Sequence, residues 1–66
     1  MRPILLEALK QHAMGHIAKH KANLEVYLNQ PEGIGEHSDI IEGMEVEIDQ
    51  IAKYHDQLEI IEKYLS

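Results

Sequence analysis

Apolar residues recur every three or four positions on both sides of a single interruption. Leu6, Leu9, Ala13, Ile17, His20, Leu24, Tyr27 and Leu28 fall within about 100° of arc on a helical wheel, which predicts an amphipathic helix over residues 3–29. Ile41, Met44, Ile48, Ile51, His55, Leu58 and Leu65 step by three and four, with Glu62 in the one gap, and predict a second helix over 39–65 with a coiled-coil-like seam. Between them, Pro31, Gly33 and Gly35 break helical continuity, so residues 30–38 read as a loop. Pro3 suits a first helical turn, and Asp39 with Glu42 has capping-box spacing, Ser38 being an alternative cap.

Two helices of nearly equal length on a short connector predict an all-α fold, an antiparallel two-helix hairpin within one domain, 1–66. Positions whose numbers sum to about 69 then face each other, which sets Gly15 near Tyr54 and Gly43 near Val26. Glycine inside a helix costs about 1 kcal/mol relative to alanine, so each reads either as a notch for a close neighbour or as plainly tolerated. Charge agrees with this pairing. Residues 1–30 carry four basic and two acidic side chains, and residues 31–66 two basic and ten acidic, so the helices attract each other while helix 2 repels its own copy.

A chain of 66 residues without cysteine sits where one core is marginal and a partner chain is the common remedy. Apolar residues beyond the seam point the same way. Ala18, Ala22 and Val26 on helix 1, with Val46, Ile60 and Tyr64 on helix 2, form a second face expected to pack between copies in a homo-oligomeric bundle, such as a dimeric four-helix bundle. No apolar run is long enough to span a membrane and the N-terminus has no signal-peptide pattern.

Five histidines are the richest candidate chemistry. His12 and His16 are one turn apart, and the hairpin register brings His55 and Asp56 towards them, a possible metal-ligand set for an alternative reading as a small metal-binding protein. A solvated, weakly basic surface beside Lys19 and Lys21 is the plainer account, so no metal or other cofactor is assigned. His20 and His55 occupy seam positions and read as hydrogen-bonded core histidines that fix register. The carboxylates of helix 2 read as its polar face, and no Glu-x-x-His unit, activated nucleophile or phosphate loop is present. The chain reads as non-enzymatic, with no catalytic residues. An RNA-binding hairpin dimer is a further alternative, but four cations on helix 1 in an acidic protein disfavour nucleic acid.

The stretches Ile17-Ala18-Lys19-His20-Lys21-Ala22-Asn23, Glu25-Val26-Tyr27-Leu28-Asn29 and Gly33-Ile34-Gly35-Glu36-His37 resemble a family of small uncharacterised proteins of tailed bacteriophages, including phages of marine cyanobacteria. The similarity extends to Ile51-Ala52 and Glu59-Ile60-Ile61. The resemblance implies viral origin and the cytoplasm of a bacterial host, with possible attachment to the virion. It brings no activity and no catalytic residues. It makes Glu36 and His37 a candidate contact point for a host or virion protein, beside the plainer account of a polar turn. The expectation is therefore a self-associating interaction protein, a phage accessory factor among the possibilities.

Overall fold

In a computed structural model, residues 1–29 and 37–65 are described. They form α1 (Arg2–Leu28) and α2 (His37–Ile60), and α2 ends in one widened, π-helical turn, Ile61–Leu65. The helices pack antiparallel in a rod whose Cα atoms span 52 × 15 × 12 Å. No strand occurs among the described residues, and no helix is long and apolar enough to cross a membrane. The expected turn at Gly33-Ile34-Gly35 and Glu36 lie outside the described residues.

The helix ends follow from local chemistry. Pro3 sits in the first turn of α1, where a missing N–H is no loss. Asn29 closes that helix: its backbone N–H and its side-chain Nδ2 both donate to the Glu25 carbonyl, at 3.0 and 2.7 Å. α2 begins at His37, so Asp39 lies inside its first turn rather than capping it, where its charge complements the helix dipole. At the far end the Arg2 guanidinium donates to the Leu65 carbonyl at 2.9 Å, placing a cation on the last turn of the chain.

The seam on α1 is the expected one at its centre, with Leu6, Ala13, Ile17, His20, Leu24 and Tyr27 buried or half-buried. Leu9 and Leu28, at the two edges of that stripe, stay 51% and 57% exposed. On α2 every second position of the seam differs from expectation by one residue, which turns the centre of the stripe by about 50°. Ile40, Met44, Glu47, Ile51, Tyr54, Leu58 and Ile61 face α1, while Ile41, Ile48, His55 and Leu65 are exposed. The two stripes share Met44, Ile51 and Leu58. Choosing the second exchanges His55 and Glu62 for Tyr54 and Ile61, two better apolar contacts, and puts one carboxylate, Glu47, into the seam. Only Ala13 and Ile61 are buried among the described residues.

The register agrees with expectation, since Gly43 meets α1 at Tyr27, one residue from the expected Val26. A Cβ on Gly43 would run into the Tyr27 ring tip, with Cζ at 2.7 Å. Gly15 differs: nothing lies within 4 Å of a Cβ built there, so it is not a notch. Gly15→Ala therefore should stabilise the chain by about 1 kcal/mol and raise the Tm by about 4–8 °C at fixed chain concentration. Gly43→Ala gains the same helix propensity but displaces Tyr27, so its melt, followed by circular dichroism, falls below that of Gly15→Ala. Equal gains at the two sites would show that Tyr27 does not fill the notch.

Candidate functional site: the two flanks of the seam

The seam has two flanks of different chemistry. On one lie His12, His16 and Asn23 of α1 with Gly43, Gln50 and Lys53 of α2. On the other lie Lys10, Met14, Lys21 and Leu28 of α1 with Ile41, Ile48 and His55 of α2. The matching of sides across the hairpin is fixed by contacts, because His12 and His16 meet Tyr54 and Tyr27 meets Gly43.

On the polar flank the His16 ring stacks on Tyr54 at 4.3 Å between centroids and 7° between planes. His12 stands edge-on to His16 at 4.5 Å, and His20 lies parallel to Tyr54 at 6.4 Å. The Lys53 ammonium is 5.0 Å from the Tyr54 centroid. Three histidines spaced by one turn on α1 thus converge on one aromatic ring of α2. Burial pushes the His16 pKa below its ordinary value, and the neighbouring His12, Lys19, His20 and Lys53 push it the same way. Its Nδ1 is buried with no hydrogen-bond partner.

Beside this stack, Glu47 receives His20 Nδ1 at 2.7 Å and Asn23 Nδ2 at 3.1 Å. The His20 and Glu47 side chains are only 13% and 15% exposed. Those two hydrogen bonds hold the Glu47 carboxyl below its ordinary pKa, against the opposing effect of burial. With Glu47 ionised, His20 Nδ1 carries the donated proton. His20 is therefore the hydrogen-bonded seam histidine that its position predicts.

His55 is not one. It is about two-thirds exposed, with Nδ1 3.9 Å from Glu59 on its own helix, and Asp56 is exposed as well. The rotation of α2 that brings Tyr54 inward carries both away from His12 and His16. No group of three or more His, Cys, Asp or Glu side chains among the described residues is arranged to hold a metal ion. Position alone pointed to His12, His16 and His20. It missed Tyr54, Glu47 and Asn23, although the register sum of about 69 carries the signal for all three.

The other flank is apolar. Met14, Leu28, Ile41 and Ile48 are between 48% and 64% exposed. They continue outward from the half-buried Ile17, Leu24, Met44 and Ile51. The six residues expected to form a second face, Ala18, Ala22, Val26, Val46, Ile60 and Tyr64, are all exposed. By helical position they lie farther round, behind the polar flank and the back of α1.

Acidification tests the polar flank. The unfolded chain takes up a proton at His16 near pH 6.5, whereas the folded chain resists it to lower pH, so stability is lost as pH falls below 6.5. Glu47 extends the loss below about pH 4.5, where the unfolded carboxylate protonates first. Thermal melts between pH 7.5 and 4 should show Tm falling in both ranges. His16→Phe should flatten the first and Glu47→Gln the second, while a flat wild-type profile would contradict the burial of His16 and the hydrogen bonds from His20 and Asn23 to Glu47. No family model matches this chain, and neither a curated protein nor a solved structure matches it.

Proposed function

We propose that this chain is a non-enzymatic helical module that works by associating with itself, its apolar flank being covered in a bundle of more than one hairpin. The observation that supports this is the uncovered strip Met14, Leu28, Ile41 and Ile48, continuous with the seam. Its scale fits. A compact monomer of 7.6 kDa would expose about 4,300 Å², and this chain exposes 5116 Å². The excess of about 800 Å² is what an open rod exposes beyond a compact domain, area that a partner chain could cover.

Within the same reading, the resemblance to small phage proteins points to an accessory factor of a bacterial cytoplasm that offers the assembled bundle to a host or virion protein. Metal and RNA binding draw less support. His12 and His16 are engaged with Tyr54, and the cations Lys19 and Lys53 stand in a chain of net charge −6.

Native mass spectrometry of the untagged protein should give a multiple of 7.6 kDa. Ile48→Asp buries unpaired charge in the association and should weaken it by at least about 100-fold. Val46→Asp, on the other flank, should leave the assembly intact. A fully helical monomer at micromolar concentration overturns the reading. Dissociation by Val46→Asp alone would move the interface to the face that includes Val26, Ile60 and Tyr64.

A further inference from the structure

We propose that the occupant of the apolar flank is one second copy of this chain, oriented so that α1 of each copy packs against α2 of the other and both connecting segments lie at the same end. This rests on the self-association reading and adds to it the partner's number and direction.

The argument is one of symmetry and charge. Two hairpins laid flank to flank with two-fold symmetry have two arrangements. With the axis parallel to the helices, each α1 lies on the partner's α2 and the connecting segments share one end. With the axis across the helices, α1 lies on the partner's α1, α2 lies on the partner's α2, and the connecting segments are at opposite ends. Both keep neighbours antiparallel, so apolar packing alone does not choose between them.

Charge does choose. α1 carries four basic and two acidic side chains. Residues 37–65 carry two basic and eight acidic side chains. In the crossed arrangement two strongly acidic helices lie side by side, at an interaxial distance of about 10 Å. In the parallel-axis arrangement they sit on the diagonal, about 14 Å apart, where the greater distance and screening over a Debye length of about 8 Å weaken their repulsion further. Each acidic helix then has basic α1 helices as both neighbours, one from each chain. The flank itself has the same polarity. Lys10 and Lys21 border it on α1, and Glu59 borders it on α2. Without axial offset, the parallel-axis arrangement sets Leu28 level with the partner's Ile41 and Lys10 level with the partner's Glu59. Apolar residues then meet near the connecting end and opposite charges meet nearer the termini.

The chain has no cysteine, so a single substitution gives a unique spin label. Asp39→Cys puts it on the exposed first turn of α2 at the connecting end. The same-end arrangement predicts a label separation of about 20–30 Å, the diagonal plus the label arms. The opposite-end arrangement predicts about 40 Å, twice the axial distance from Asp39 to the middle of the hairpin. Asn29→Cys, on the other helix at that end, gives a second measurement with the same expectation if the first change disturbs the helix start. Short separations at both positions in a particle of dimer mass support the proposal. A separation near 40 Å, a dimer without measurable coupling, or a particle larger than a dimer overturns it while leaving self-association standing. A monomer mass with no coupling defeats self-association itself.

Discussion

Two helices have only one line of mutual contact, and that limit governs everything else in this molecule. Each helix can bury a single stripe against the other, so the seam is a row of half-buried side chains rather than a core. Ala13 and Ile61 alone are enclosed among the described residues. A third or fourth helix would be needed to close the remaining sides. The excess exposed area, the uncovered isoleucines and the small stabilising contribution available to so thin a rod are consequences of that one limit.

Because the seam is thin, its specificity comes from a few unlike contacts rather than from volume. Among the described residues Glu47 is the only carboxylate in it, and it is held by His20 and Asn23. A slip of one turn would take Glu47 out of reach of both and leave it half-buried without partners, which costs more than a displaced leucine. Tyr54 acts in the same way. It fits against His16 only where the histidine series passes it, while Gly43 accommodates Tyr27 about three turns further on. Polar and aromatic contacts thus fix the register that apolar contacts alone leave loose. The orphaned His16 Nδ1 is the part of this arrangement that lacks a partner.

The fold was largely legible in the residues, because period, breaker position and helix lengths all depend on local rules. The expected and observed helices differ by one residue at the start of α1 and by two at the start of α2. The register was legible too, since the connector fixes it; the contacts His20–Glu47 and Gly43–Tyr27 fall near the expected sum. Rotation was not. On α2 two stripes one residue apart share Met44, Ile51 and Leu58, and periodicity cannot rank them when each contains a polar exception. What ranks them is pairwise chemistry across the seam: His20 accepts Glu47 as a partner, and no equivalent partner for His55 lies on α1. His55 and Asp56 are not brought to His12 and His16 for that reason, since that set assumed the rotation that places His55 inward.

That ambiguity has a physical meaning of its own. A helix in a two-helix rod needs one apolar stripe, and a helix in a four-helix bundle needs a wider one, because it faces two neighbours. α2 carries the wider kind: Ile40, Tyr54 and Ile61 turn towards α1, Ile41 and Ile48 turn outward, and Met44, Ile51 and Leu58 lie between. α1 has a matching, weaker extension in Met14 and Leu28. The stripe that stands out most on α2 is thus the one its own hairpin leaves partly uncovered. On the self-association reading this is the expected order of things: the residues that make periodicity strongest are those shared between an internal neighbour and an external one, and the sequence is patterned for the bundle rather than for the isolated hairpin.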